Sequence, residues 1–149
     1  MIRVSKITDY AMVILTFIGH KPGNLLQASE ISLATGITKP TTAKILKKLV
    51  INGFLSSKRG VRGGYQLMRE PEQISILEII QTFEGPFAIM ECNLGNDNCV
   101  LAHNCSMHAP WVEINRLLIK TLESYSLSNL TSHKVLSSGK PGEQHNHVY

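Results

Sequence analysis

Phe54-Leu55-Ser56-Ser57-Lys58-Arg59-Gly60-Val61-Arg62-Gly63-Gly64-Tyr65-Gln66-Leu67-Met68 is the stretch that decides the fold. Its ends, Phe54–Ser57 and Tyr65–Met68, have the short apolar and aromatic character of strands. The seven residues between them hold three glycines and three cations. Glycine lets a chain reverse tightly, so the stretch predicts a β-hairpin with a basic tip. A phosphate-cradling nucleotide loop does not fit, because no Gly-Lys-Ser/Thr follows and no helix begins there. A hairpin with cations at its end can act as a wing, laying charge on DNA phosphates or pushing an arginine into a minor groove. A plain solvated hairpin is the alternative, and the residues upstream weigh against it.

Ile7, Tyr10, Ala11, Ile14, Leu15 and Ile18 recur at three- and four-residue spacing, which predicts a helix from about Ser5 to His20 with Ser5 as its cap. Lys21-Pro22-Gly23-Asn24 ends it. A short helix over Ala28–Thr35 is expected to turn Ile31 and Ala34 inward. Gly36 supplies the turn, and a further helix runs from Pro40 to Asn52. Ala43, Leu46, Leu49 and Val50 form its expected apolar face, with Lys44, Lys47 and Lys48 together on another. Two short helices joined by a glycine turn, the second one basic, make a helix-turn-helix. Bases are then read near the start of the second helix, by Thr41, Thr42 and Lys44. Lys44, Lys47, Lys48, Lys58 and Arg62 neutralise phosphates, and Arg59 is the wing's candidate for the minor groove.

Charge follows the same division. Residues 1–69 carry eleven Lys/Arg against two Asp/Glu, a net +9, whereas residues 70–149 carry four against nine, a net −5. The first part suits a polyanion, and double-stranded operator DNA is the expected partner. At 43% hydrophobic and 17% charged, the 149 residues have the make-up of an ordinary soluble protein with no apolar run long enough for a membrane span. Met1-Ile2-Arg3 leads into a mixed segment, so no signal peptide and a cytoplasmic location are expected.

Downstream of the wing, a helix is expected over about Ile76–Phe83 and is stopped by Glu84-Gly85-Pro86. A long helix starts near Pro110 and bears Trp111, Ile114, Leu118, Leu122 and Tyr125 as one apolar stripe. Far from the winged part, that stripe has little of its own chain to cover, and a homodimer seam is the expectation. One more short helix is expected within Ser126–Leu136. The divisions are residues 1–70 for the DNA-binding part, 71–109 for a linking helix and loop, 110–134 for dimerisation and 135–149 for a disordered tail.

All three cysteines, Cys92, Cys99 and Cys105, fall in one loop rich in Gly and Asn. An odd count in a chain without an expected signal peptide argues against disulfides. The intervening gaps of six and five residues are wide for zinc knuckles and suit a larger cluster. Iron–sulfur, zinc and redox-sensing thiols stay open on spacing alone. A cysteine enzyme using Cys105 with His103 or His108 lacks a visible third orienting group. An iron–sulfur carrier or electron-transfer protein would leave the basic half without a task.

With these pieces placed, the chain resembles the small bacterial winged-helix regulators that include the IscR and NsrR types. The resemblance runs from Ser5-Lys6-Ile7-Thr8-Asp9-Tyr10 to about Leu130. It is carried most specifically by Arg59-Gly60-x-x-Gly63-Gly64-Tyr65-x-Leu67 and the three-cysteine loop. Leu77–Pro86 followed by Glu91-Cys92 looks closest to the branch controlling the SUF cluster-assembly operon. The resemblance implies a mainly α winged helix-turn-helix with a long C-terminal dimerisation helix. It also implies a homodimer with one cluster per subunit, operator binding governed by cluster occupancy, and no small-molecule substrate. Cys105-Ser106-Met107-His108 is similar to the pattern in which a histidine completes a 2Fe-2S site, the form favoured here. Thr8-Asp9-Tyr10 resembles the alternative start, in which Asp9 reaches a 4Fe-4S cluster across the dimer in a nitric-oxide sensor.

Overall fold

A computed structural model of the chain describes residues 3–94 and 105–132. Helix α1 (Lys6–Gly19) is capped by Ser5, whose hydroxyl accepts the Thr8 N–H at 3.3 Å. Thr8, Ala11, Ile14, Leu15 and Ile18 form its buried stripe. Helices α2 (Ala28–Thr35) and α3 (Lys39–Ile51) follow. Between them Gly36 takes a φ of 71°, a left-handed conformation that costs a glycine nothing and other residues about 1 kcal/mol. Strands β1 (Leu55–Lys58) and β2 (Gly64–Leu67) pair antiparallel, with Leu55 opposite Leu67 and Lys58 opposite Gly64. Leu26 adds a one-residue bridge to Tyr65, so the hairpin is stitched to the segment before α2.

A 3-10 turn over Pro71–Gln73 leads to α4 (Ile76–Glu84), where the Ser75 hydroxyl accepts the Glu78 N–H at 3.1 Å. Sequence reading did not single out this Ser-x-x-Glu helix start, which lies just ahead of the apolar run of α4. Glu78 turns its carboxylate to Arg69 in a two-pronged ion pair, fixing α4 to the end of the wing. A second 3-10 turn spans Glu91–Leu94, and α5 (His108–Ser124) and α6 (Leu127–Ser132) close the described chain.

One core joins these elements. Ile14, Leu15, Ile31, Ile45, Leu46, Leu49, Phe54, Ile74, Ile79 and Leu127 are all fully enclosed. Burying each such side chain is worth about 1.5–3 kcal/mol. The fold expected from the sequence, mainly helical with a hairpin wing, is present.

Several expectations shift. Ala34 is exposed, and Ser32 takes the inward place on α2, its hydroxyl donating to the Ile37 carbonyl at 2.6 Å. In α3 Ala43 is exposed, and Thr42 and Ile45 fill the inner face. The helical register explains it: Thr42, Ile45, Leu46 and Leu49 lie within about one third of the helix circumference. Helix α5 begins at His108, two residues before Pro110. Its stripe is divided. Leu122 packs against the winged core, while Ile114, Leu117 and, just past the helix end, Tyr125 stay exposed. Helix α6 also returns to that core, so the C-terminal helices are not remote from the winged part. Residues 133–136, expected to extend the last helix, lie outside the described residues, as does the expected tail.

Candidate nucleic-acid interface and cysteine loop

The outer face of α3 carries Pro40, Lys44 and Lys47, all exposed, opposite the buried Thr42–Leu49 face. Thr41 is half-buried at its edge, its hydroxyl taking that of Thr38 at 2.9 Å. Thr42 does not join them. It is enclosed and its hydroxyl donates to the Ile37 carbonyl at 3.3 Å, so it holds the turn between the two helices. The expectation that Thr42 reads bases is corrected on that ground: its one polar atom is spent inside the core. Lys48 also parts from its neighbours, because it sits a further 100° around the helix. It is half-buried with its ammonium 4.8 Å from the Phe83 ring, a cation–π contact that turns it toward α4.

Lys58, Arg59 and Arg62 project at the wing, and all three are exposed. Two glycines shape it. A Cβ on Gly63 would meet the Lys58 carbonyl oxygen at 2.1 Å, and one on Gly64 would meet the Leu26 oxygen at 2.7 Å. These close approaches are the physical reason for the Gly-Gly pair. The Gly63 N–H donates to the Gly60 carbonyl at 2.9 Å and closes the tip. The recognition helix and the wing therefore offer Lys44, Lys47, Lys58, Arg59 and Arg62, exposed and without an ion pair among the described residues, a surface suited to a phosphate backbone.

Cys92 and Cys105 are both free and half-buried, and each lies close in the chain to a residue bonded to the start of α5. Asn93, next to Cys92, donates its side-chain amide to the Trp111 carbonyl at 3.2 Å. Cys105 accepts the His108 N–H on its own carbonyl at 3.2 Å, in the turn that opens the helix. Asn115, a buried polar residue that the sequence reading missed, accepts the Ile89 N–H at 3.1 Å. A polar residue among Ile114, Leu118 and Leu122 is the signal that could have marked it. His108 is exposed in the first helical turn, and Asp9 is exposed in the first turn of α1. Cys99 and His103 lie outside the described residues. Among the described residues no three metal-ligating side chains converge. Still, two free thiols and an imidazole near one helix start have the donor chemistry of a thiolate-held cluster, and they fit such a group.

Glu84, the last residue of α4, ties that helix to the start of α1. It receives the Ser5 N–H at 3.0 Å and the Thr8 hydroxyl. Hydrogen bonds from Ser5, then Thr8, hold its carboxyl below the usual range, and Lys48 adds attraction. No helix among the described residues is long and apolar enough to cross a membrane.

The chain is similar to known regulators over most of its length. It is 30% identical over 134 residues to the HTH-type transcriptional regulator NsrR of Bacillus subtilis, covering 89% of this chain and 92% of that protein. Among solved structures it is similar to CymR, the global cysteine regulator of B. subtilis. The TM-score is 0.73 at 24% identity, over 90% of this chain and 99% of that one. It is also similar to IscR of T. potens, with a TM-score of 0.69 at 20% identity over 95% and 94%. These structural likenesses establish the winged-helix fold. The Rrf2 family, described as an iron-dependent transcriptional regulator, matches residues 4–133. The chain therefore belongs to the Rrf2 family and is a DNA-binding transcriptional regulator, not an enzyme.

Proposed function

We propose that this regulator reports iron–sulfur cluster status, with a 2Fe-2S cluster held by Cys92, Cys99, Cys105 and His108, and that it controls SUF-type cluster-assembly genes. The observation that carries the reading is the attachment of both described thiol segments to the start of α5, through Asn93 to Trp111 and through Cys105 to His108. The N-terminus of that 17-residue helix favours negative charge nearby, as a thiolate-held cluster would present. When bound, such a group supplies a thiolate-held centre that oxidation, nitric oxide or iron scarcity can remove.

The chain's own residues do the rest. Ile89 and Asn93, tied to α5 through Asn115 and Trp111, would set the position of the α4 end, which Glu84 holds to the start of α1. Lys44, Lys47, Lys58 and Arg62 neutralise phosphates, Arg59 enters the minor groove, and Thr41 with Lys44 reads base edges. Two copies paired along the exposed Ile114–Leu117 side of α5 would hold a palindromic operator. In this reading residues 1–70 bind DNA, 71–109 carry the sensor and 110–134 pair the subunits.

A second reading is favoured by the similarity to the B. subtilis NsrR protein and by the exposed Asp9. There Asp9 completes a 4Fe-4S cluster in a nitric-oxide-responsive repressor. Anaerobic absorption and Mössbauer spectra of His108→Ala and Asp9→Ala separate the two, since only the true ligand's loss changes the spectrum. Operator affinity of holo protein, apo protein and Cys92→Ala tests the coupling. Equal affinities throughout would discard it.

A further inference from the structure

The wing tip is nearly detached from the body that carries it. Residues 59–63 bear Arg59, Arg62 and Val61, the last 93% exposed. Inside the tip the Gly63-to-Gly60 bond closes the turn. Among the described residues, one hydrogen bond joins this tip to another element: Gln27 Nε2 donates to the Val61 carbonyl at 3.2 Å, across 34 residues. Gln27 occupies the N-cap position of α2, a place where Ser, Thr, Asp or Asn would bond the helix's own free N–H groups. It makes no such bond. Its longer side chain instead crosses a cleft of about 370 Å³ between α2 and the wing, lined by Gln27, Ala28, Lys58, Arg59 and Tyr65.

We propose that Gln27 is the positioning residue of the wing: its side-chain amide fixes the Val61 carbonyl and so aims Arg59 and Arg62 relative to the recognition helix. The inference rests on the reading of Arg59 as a DNA contact. Without the tie, the tip is anchored only through its strand ends, and the two arginines must be ordered when DNA arrives. The helix-turn-helix and its wing then grip as two loosely linked pieces. With the tie, part of that ordering is present in the free protein, which is how preorganisation raises affinity.

The test is a double-variant cycle on DNA. A duplex enriched from random sequence by the native protein serves as probe, and binding is measured for Gln27→Ala, Gln27→Met, Arg59→Ala and both pairs with Arg59→Ala. Gln27→Met keeps the bulk and removes the donor. Either Gln27 variant is expected to bind about three- to tenfold more weakly, the scale of one net hydrogen bond. Its thermal midpoint is expected to be unchanged, with faster hydrogen exchange at the amides of residues 59–62. In the Arg59→Ala background the further loss is expected to shrink to the part carried by Arg62, because Gln27 acts through the tip. Independent losses that multiply in the double variant would overturn the inference. So would Gln27 variants that bind like the native protein while Arg59→Ala is weakened. If Arg59→Ala itself binds normally, the wing reading fails first and takes this inference with it.

Discussion

Asn115, midway along α5, accepts the Ile89 backbone N–H at 3.1 Å, and the two residues bracket the whole cysteine loop. A buried amide placed among leucines and isoleucines is costly unless its partner is met, and this partner is the chain entering the loop. Replacing it by leucine strands the Ile89 N–H. We expect Asn115→Leu to lose about 1 kcal/mol of stability, the net worth of a hydrogen bond to a half-buried donor. Asn115→Asp keeps the acceptor but buries a charge, so it should lose less only where the pH is low enough to protonate its carboxyl. Chemical denaturation at such a pH ranks the two, and equal losses would show that the hydrogen bond is immaterial.

The two threonines and the lysines of α3 separate by what they touch. Lys44→Ala should lower the slope of log affinity against log salt by about 0.9, the value for one lost phosphate contact. Thr42→Val should leave that slope and the sequence preference alone, changing stability by about 1 kcal/mol, because Thr42 faces Ile37 and not solvent. Titrations at several salt concentrations distinguish them.

Gly63 and Gly64 tolerate no side chain in the observed wing. Gly63→Ala would drive a methyl into the Lys58 carbonyl, and Gly64→Ala into the backbone of Leu26. Each should cost about 1–3 kcal/mol or force the hairpin open, with DNA binding lost in step. Gly23→Ala, at a φ of 77° with open space around it, carries the backbone strain of about 1 kcal/mol alone and so separates it from the steric cost. A circular-dichroism melt reads all three.

Glu84 introduces a pH dependence whose sign is fixed by its hydrogen bonds. Because Ser5 and Thr8 lower its folded-state value, its contribution is complete above the ordinary glutamate range. It disappears as the pH falls through the lowered value. The effect is small, about 0.5 kcal/mol, since the carboxylate is exposed and screened. Glu84→Gln should flatten this part of the acid unfolding curve, and an unchanged curve would contradict it.

Leu117 is 51% exposed on α5, one turn from the exposed Ile114. If this side pairs two subunits, Leu117→Glu should yield a folded monomer by sedimentation, with weakened binding to a palindrome. A folded dimer would place the seam elsewhere.

Much of the fold was legible in the sequence. The α1 stripe, the Gly36 turn and the Gly-rich wing each announce themselves through spacing or a residue with one conformational use. The inner faces of α2 and α3 were less so. Ser32 and Thr42 look like surface residues until the Ile37 carbonyl, which both hydroxyls reach, is in place. Lys48 reads as one more cation of a basic face, and only the packing of α4 shows Phe83 beneath it. The division of the α5 stripe was hidden for the same reason, since periodicity finds an apolar side without saying which neighbour covers it. At the candidate site, the thiols were visible as a group, whereas Asn115, Glu84 and Gln27 work through partners 26 or more residues away in the chain.

Leu127 has a consequence for how the protein is made. It is wholly enclosed, its N–H donates to Ile74, and its side chain belongs to the same cluster as Ile14 and Leu15. A nascent chain that has cleared the ribosome only as far as the hairpin has the DNA-reading surface but lacks the plug that seals it. Maturation must wait for the last helix, so premature termination before Leu127 should give a species handled by chaperones and proteases and not a small, constitutively DNA-binding fragment.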